Sequence, residues 1–463
     1  MRKSAMWVAV ALMMASVMTT GCTKDSSETE PVLVIDPVEP TDPENPTDPT
    51  DPNQNDSIGE NERKYIQLTR AEQELVSNNN DFAFNLFRMM NLTTTNGPDE
   101  EGFAWPEGFD ASLPLKSQIV SPISITYALG MLNNGAAGET QTEINKVLGF
   151  KETGADGINA FCQKMLTEAP NLDKLTKVLI ANNIYLNKGY ELIPDFVSKA
   201  KLFYDADVET RDFCDGQTRD VINKWGSDHT MGMIPEVLKE DEFNAGAVSY
   251  LLNAIYFKGT WANKFDKENT KVERFTTTDG EEKFIPLMHQ ENEFYYAENE
   301  LCQTLCLLYG NEAYAMTILL PKEGKTINDV LITLTAETWQ GYQWMGSAIV
   351  DVKLPSFETD LDVNLKPIMK ALGMPRAFDD NLAEFPYFCT TQTYIDQMKQ
   401  VAKIKVNEEG TEAAAVTAIG MMEKSAGPNE PRYVNFHANR PFLYVISEQS
   451  TGAIFFIGKY IGD

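Results

Sequence analysis

An α+β fold whose strands are predominantly antiparallel is what the sequence predicts, on three observations. Residues 75–90 carry apolar side chains at helical spacing, with Phe82, Leu86 and Met89 on one side. Short strand-like runs recur at 177–186, 248–257, 313–320 and 442–446. Helical and strand signals alternate without an internal repeat, and no linker interrupts the chain after residue 65. Residues 65–463 therefore read as one large domain.

The beginning of the chain reads as a targeting signal. Arg2 and Lys3 precede an apolar run over residues 5–17, shorter than the roughly 20 residues that span a bilayer. The run ends in Met18-Thr19-Thr20-Gly21-Cys22, small residues before a cysteine. This resembles a bacterial lipoprotein cleavage site, with Thr19 where a leucine is usual. Residues 1–21 are then a signal peptide and Cys22 is the lipid-attachment residue; an ordinary secretory signal is the alternative. The expected location is the outer membrane, and Lys24 and Asp25 hint at display on the cell surface.

Residues 22–64 change composition sharply. Pro, Thr, Asp, Glu and Asn dominate, as in Pro40-Thr41-Asp42-Pro43-Glu44-Asn45-Pro46. So little apolar surface cannot offset the entropy of folding, and prolines with like charges keep the segment extended. A disordered acidic stalk, holding the domain away from a membrane, is expected. The formal net charge of −29 argues against a nucleic-acid surface, because a polyanion is repelled. Beyond Cys22 the cysteines are Cys162, Cys214, Cys302, Cys306 and Cys389, an odd number without a CxxC pair. Buried free thiols are expected, with no metal site and no cofactor.

Residues 91–116 are rich in Gly, Pro and acids and read as a surface loop. Near the C-terminus stands Val406-Asn407-Glu408-Glu409-Gly410-Thr411-Glu412-Ala413-Ala414-Ala415-Val416-Thr417-Ala418. By propensity alone it is a capped helix, with Thr411 as the cap. It also resembles, almost letter for letter, the hinge of the serpin family of serine protease inhibitors. Other segments agree, in order. They are Ile119-Val120-Ser121-Pro122-Ile123-Ser124-Ile125, Ile222-Asn223-Lys224-Trp225, Leu252-Asn253-Ala254-Ile255-Tyr256-Phe257-Lys258-Gly259-Thr260-Trp261, and Phe436-His437-Ala438-Asn439-Arg440-Pro441-Phe442. The resemblance covers essentially everything after the stalk.

The resemblance implies three β-sheets, about eight or nine helices and an exposed reactive-centre loop. It implies a monomeric suicide inhibitor. A target serine or cysteine protease cuts the loop, which then enters the main sheet as a new strand and traps the enzyme. Hinge residues by resemblance are Glu408, Glu409, Gly410, Thr411, Glu412, Ala413, Ala414 and Ala415. The spacing from Glu408 places the cut bond at Lys424 and Ser425, which suits a trypsin-like enzyme. Met421 or Met422 are the alternatives, inviting elastase-like or chymotrypsin-like enzymes.

The loop itself is compatible with insertion. A strand alternates its faces; Thr411, Ala413, Ala415, Thr417, Ile419 and Met421 form one set, uncharged and small at its start. Glu412 falls on the other face. No proline interrupts residues 408–424, so no ladder donor is missing.

Some positions depart from the family. The polar cluster under the insertion point corresponds to Ser121, Ser124 and Asn253, with Gln400 where a histidine is usual. Glutamine keeps a donor and an acceptor but cannot charge, so no pH sensitivity is expected there. Ser117 replaces a common asparagine. At the top of the sheet stands Trp261, and Ser356 replaces the lysine that often pairs with the hinge acid, Glu408. Ordinary core packing is the simpler role for Trp225 and Trp261. An enzyme is disfavoured: His229, His289 and His437 form no HExxH, no GxSxG is present, and Gly324-Lys325-Thr326 lacks the first P-loop glycine. A surface binding lipoprotein is the remaining rival, with Trp339, Tyr342 and Trp344 either stacking platforms or helix packing.

Overall fold

The computed structural model describes residues 61–91, 106–342, 344–411 and 432–463. Its helices are α1 (Arg70–Asn91), α2 (Pro122–Asn133), α3 (Gly138–Val147), α4 (Gly154–Glu168) and α5 (Pro194–Tyr204). After them come α6 (Gln217–His229), α7 (Ile327–Leu331), α8 (Ala336–Tyr342) and α9 (Lys366–Leu372). The first strands are β1 (Gln118–Val120), β2 (Thr176–Asn187), β3 (Asp207–Arg211), β4 (Ser249–Thr260) and β5 (Lys271–Thr276). The middle ones are β6 (Glu282–Glu298), β7 (Cys302–Tyr309), β8 (Tyr314–Pro321), β9 (Gly346–Pro355) and β10 (Phe357–Asn364). The chain ends with β11 (Lys399–Asn407), β12 (Gly410–Thr411), β13 (Tyr433–His437), β14 (Phe442–Glu448) and β15 (Ile454–Tyr460).

Among the described residues, two hydrogen-bonded networks result. The main sheet runs β10-β11-β12-β4-β2-β3. The second runs β1-β15-β14-β8-β7-β6-β9-β13, with β5 also on β6. This second network has two halves that share only the long strand β6: its residues 295–298 pair with β7, and residues 287–296 pair with β9. Counting the halves separately gives the three sheets expected.

Local sequence explains the main sheet. In β10, Phe357, Thr359, Leu361 and Val363 face the core while Glu358, Asp360 and Asp362 face water. On β11, Gln400, Ala402, Ile404 and Val406 are buried, and Lys403 and Lys399 reach across to Glu358 and Asp362 at 2.6 and 2.9 Å. Such two-period alternation fixes the register, because a one-residue slip would turn the charges inward. Strands β8, β14 and β15 are instead buried along their whole length, as strands covered on both faces are.

Below them lies α2, capped by Ser121, with Pro122 in its first turn. Proline suits that position because its missing N–H would have no partner there. The helix is buried nearly all round, which seats its first turn directly under the main sheet.

The predicted helix at 75–90 lies within α1, where Phe82 and Leu86 are buried and Met89 is partly covered. Residues 61–64, assigned by the sequence to the end of the stalk, are engaged with the body. Asn61 Nδ2 donates to Asp173 Oδ1 at 2.9 Å, and Arg63 pairs with Glu312 at 3.4 Å.

One expectation needs correction. Cys162, Cys302, Cys306 and Cys389 are buried free thiols, but Cys214 is exposed, on the turn between β3 and α6. Of the two roles open to the aromatics at 339–344, helix packing fits Trp339, which lies against Phe84, and Tyr342, which lies against Trp339, whereas Trp344 is 85% exposed.

Candidate functional site: a vacancy in the main sheet

Strands β4 and β11 are neighbours in space but share no ladder among the described residues; they are joined through β12 alone. Thr411 pairs with Val406 on one side and Gly259 on the other, and Gly410 with Asn407 and Thr260. Below that two-residue bridge lies a cavity of about 340 Å³. Its walls include Leu252 and Asn253 of β4 and Gln400 and Ala402 of β11. Ser121 and Ser124 form part of its floor, and Thr411 lines its upper end. A sheet with two facing strands and no ladder between them has unpaired inner edges, and unpaired edges accept a strand.

The four cluster residues expected from the sequence meet here, as two pairs joined through the cap of α2, where Ser124 N–H donates to Ser121 Oγ at 3.4 Å. On the β11 side, Gln400 Nε2 donates to Ser121 O at 2.9 Å and Gln400 Oε1 accepts from Ser121 N–H at 3.0 Å. Ser121 Oγ donates to Phe455 O at 2.8 Å, which fixes the cap to β15. On the β4 side, Ser124 Oγ donates to Asn253 Oδ1. The first turn of α2 thus holds both banks of the vacancy, one through each serine. Asn253 Nδ2 donates onward to Asn182 Oδ1 of β2 at 2.9 Å; sequence reading missed Asn182, because its relevance arises only from a register across two strands.

At the upper end the hinge is anchored by backbone and ring contacts. Trp261 N–H donates to Glu409 O at 2.9 Å, Phe265 N–H to Glu408 O at 3.0 Å, and Trp261 Nε1 to Asn407 O at 2.9 Å. Trp261 therefore does more than fill the core. Its ring stacks on Tyr309 at 4.4 Å, and the Tyr309 hydroxyl shares a 2.6 Å hydrogen bond with Thr411 Oγ1. Burial pushes the Tyr309 phenol up, so it stays protonated. Thr411 is 1% exposed and faces the core, as the alternation of faces requires, and it is a strand residue rather than a helix cap.

Gly410 has φ +147°, and a Cβ there would lie 2.0 Å from Gly259 O. Only glycine fits.

The hinge acids exchange their expected roles. Glu408 Oε1 accepts from Thr270 Oγ1 at 2.7 Å, while Ser356 Oγ donates to Val406 O at 3.2 Å and does not reach the acid. The ion pair sits one residue on: Glu409 contacts Lys264 at 2.9 Å and Lys267 at 3.5 Å. The Lys264 ammonium, with Lys267 behind it, holds the Glu409 carboxyl below the usual range against a smaller opposing effect of burial. Trp225 packs with the second apolar cluster, its ring tilted against that of His229 at 4.5 Å. His289 and His437 both contact Asp351, at 2.6 and 3.0 Å, away from the vacancy. Glu412, Ala413, Ala414, Ala415, Met421, Met422, Lys424, Ser425 and Cys22 lie outside the described residues.

Comparison with known proteins gives a consistent answer. Residues 107–462 match the family described as Serpin (serine protease inhibitor). Serpin B6 of Macaca fascicularis is 32% identical over 354 residues, 74% of this chain and 93% of that protein. Among solved structures, the native state of the thermophilic serpin tengpin superposes with a TM-score of 0.72 at 25% identity, covering 87% of this chain and 97% of that one. Human thyroxine-binding globulin in complex with its hormone superposes at 0.70 and 26% identity, covering 84% and 98%.

Proposed function

The chain is a member of the serpin family, and on that premise we propose that it is a suicide-substrate inhibitor of serine proteases. The observation that carries the reading is the vacancy between β4 and β11, with Gly410 and Thr411 already seated at its upper end. In the proposed reaction the protease serine attacks the Lys424 carbonyl, the amine leaves on Ser425, and an acyl ester links the enzyme to Lys424. The freed segment, continuous with Thr411, zips downward between the two banks. The new ladder satisfies edge groups along the whole vacancy and draws the acylated enzyme across the sheet before water completes hydrolysis.

Lys424 directs this inhibitor to a trypsin-like enzyme; presentation of Met421 or Met422 would redirect it to an elastase-like or chymotrypsin-like one. The inhibitor is proposed to act as a monomer on the acidic stalk of residues 22–64, anchored through lipid on Cys22 at the outer membrane. Lipid labelling of the wild type against Cys22→Ala tests the anchor: equal labelling of both removes it.

The competing use of the fold is binding without inhibition, for which thyroxine-binding globulin is a precedent. Mixing the protein with trypsin-like and elastase-like proteases and running denaturing gels separates the two. A gel-stable complex cut after Lys424 is expected; clean cleavage with no complex and no gain in thermal stability leaves a binding protein.

A further inference from the structure

The hydrogen bonds that hold Asn253 do not end at β2. Asn182 Nδ2 donates to the backbone oxygen of Tyr204, the last residue of α5, at 2.7 Å. The Tyr204 hydroxyl in turn donates to Asn159 Oδ1 on α4 at 2.7 Å. Asn159 Nδ2 donates to Asn134 Oδ1 at 2.8 Å, and Asn134 Nδ2 donates back to Asn159 Oδ1 at 2.9 Å. Asn134 is the C-cap of α2. The chain of contacts leaves α2 at Ser124, passes through β4, β2, α5 and α4, and returns to α2 at its other end.

The far side of this circuit is dry, whereas Asn253, which lines the cavity, is half-buried. Asn159, Asn182 and Tyr204 are 1%, 3% and 0% exposed, so none can exchange a lost partner for water. Burial keeps the Tyr204 phenol protonated and therefore a donor. The sequence of α2 is also shaped around it. A Cβ on Gly130 would lie 2.7 Å from the Tyr204 hydroxyl and 2.5 Å from Ile158 Cγ2. A helix interior disfavours glycine, yet here the bare backbone admits the phenol.

The geometry points to a second latch on the main sheet. Tyr204 and Asn159 are positioning residues that hold the β4–β2–α5 unit against α2 from the far side. Opening the vacancy for a further strand requires this unit to move away from α2. The Ser124–Asn253 hydrogen bond must then break, and so must one link of the far side, either Tyr204–Asn159 or the Asn159–Asn134 pair. Either side alone keeps β4 tied to one end of the same helix. The inference rests on the strand-insertion reading given above.

The test uses the full chain and needs no protease. Amide hydrogen exchange is followed by mass spectrometry in wild type, Tyr204→Phe, Asn159→Ala and Gly130→Ala, comparing peptides of β4 with peptides of β14 and β15. Tyr204→Phe removes a single oxygen and preserves the packing. Losing one buried hydrogen bond is expected to speed exchange in β4 by roughly fivefold to tenfold, with β14 and β15 unchanged and Gly130→Ala reproducing the pattern. Acceleration confined to α4 and α5, equal acceleration throughout, or no change in Tyr204→Phe and Asn159→Ala overturns the latch. Failure of the wild type to trap a protease would sink the inhibitor reading alone, since the exchange ratio remains readable.

Discussion

Gln400 and Ser121 exchange two hydrogen bonds, amide to peptide, at 2.9 and 3.0 Å across the floor of the main-sheet vacancy. A side-chain amide reproduces the donor–acceptor pair of a peptide unit, so β11 is joined to the cap of α2 as if by one rung of a ladder. Replacing Gln400 by Ala leaves the Ser121 N–H buried and unpaired and leaves Ser121 O with only the long bond from Ile125 N–H at 3.4 Å, at a cost of about 2 kcal/mol. The urea midpoint should fall accordingly, and spontaneous loss of inhibition should quicken. An unchanged midpoint would mean that this bank is held elsewhere.

Gln400→His should add a pH dependence that the native site lacks. A neutral imidazole can accept from the Ser121 N–H; the imidazolium cannot, and it is buried besides. The folded-state pKa is then below the unfolded value of about 6.5. The extra stability of the neutral form is fully present above that value and is lost as pH falls below it. Unfolding midpoints of wild type and variant, measured from pH 8 to pH 5, should diverge only in the acid half. Parallel curves would refute the argument.

On the proposed mechanism, Thr411→Arg should convert the protein from an inhibitor into a substrate. Thr411 is 1% exposed between two strands, and a guanidinium there costs several kcal/mol. The expected result is cleavage without complex, a stoichiometry at least about tenfold worse, and an unchanged rate of loop cutting. Retained complex formation would show that the hinge need not enter the ladder.

Glu409 should loosen the hinge in acid. Its carboxyl is held below the ordinary range, first by Lys264, so its contribution is present above the unfolded pKa of about 4.3 and lost as pH falls through the lower folded value. Hydrogen exchange of residues 406–411 should rise in that window, and Glu409→Gln should reproduce the rise at pH 7. Exchange that is flat across both comparisons contradicts the role.

Gly410→Ala tests the bridge sterically. With φ +147° and Gly259 O only 2.0 Å from the new Cβ, alanine cannot sit in this ladder without moving β4. Loss of protection at Gly259 and Thr260, with β14 unaffected, is the expected exchange pattern. Native protection at both would mean the backbone adjusts.

Much of this was legible because it is local or written in contiguous motifs. The run at 177–186 became Thr176–Asn187 and that at 442–446 became Phe442–Glu448, since β-branched and aromatic residues bounded by turn formers declare a strand. Ser121, Ser124, Asn253 and Gln400 were nameable from resemblance and do converge. The partner of the hinge acid was not. Lys264 and Lys267 follow β4 in the chain, and nothing in a linear pattern says that they meet Glu409 rather than Glu408. Asn159 and Tyr204 were silent for the same reason: an asparagine in a helix looks solvent-facing until its burial is known. Cys214 failed in the opposite sense, an apolar type that the fold leaves outside.

The stack of Trp261 on Tyr309, with an interplanar angle of 11°, couples an indole to the hydroxyl that Thr411 grips. Anything that moves Thr411 changes the polarity and quenching around that indole. The other described indoles sit elsewhere: Trp225 lies on His229, Trp339 hydrogen-bonds Gly452, and Trp344 is in solvent. Intrinsic emission is therefore a label-free optical gauge of the hinge, fast enough for stopped-flow mixing, and Trp225→Phe with Trp344→Phe would lower the background without touching the stack, leaving Trp7, Trp105 and Trp339 as a constant contribution.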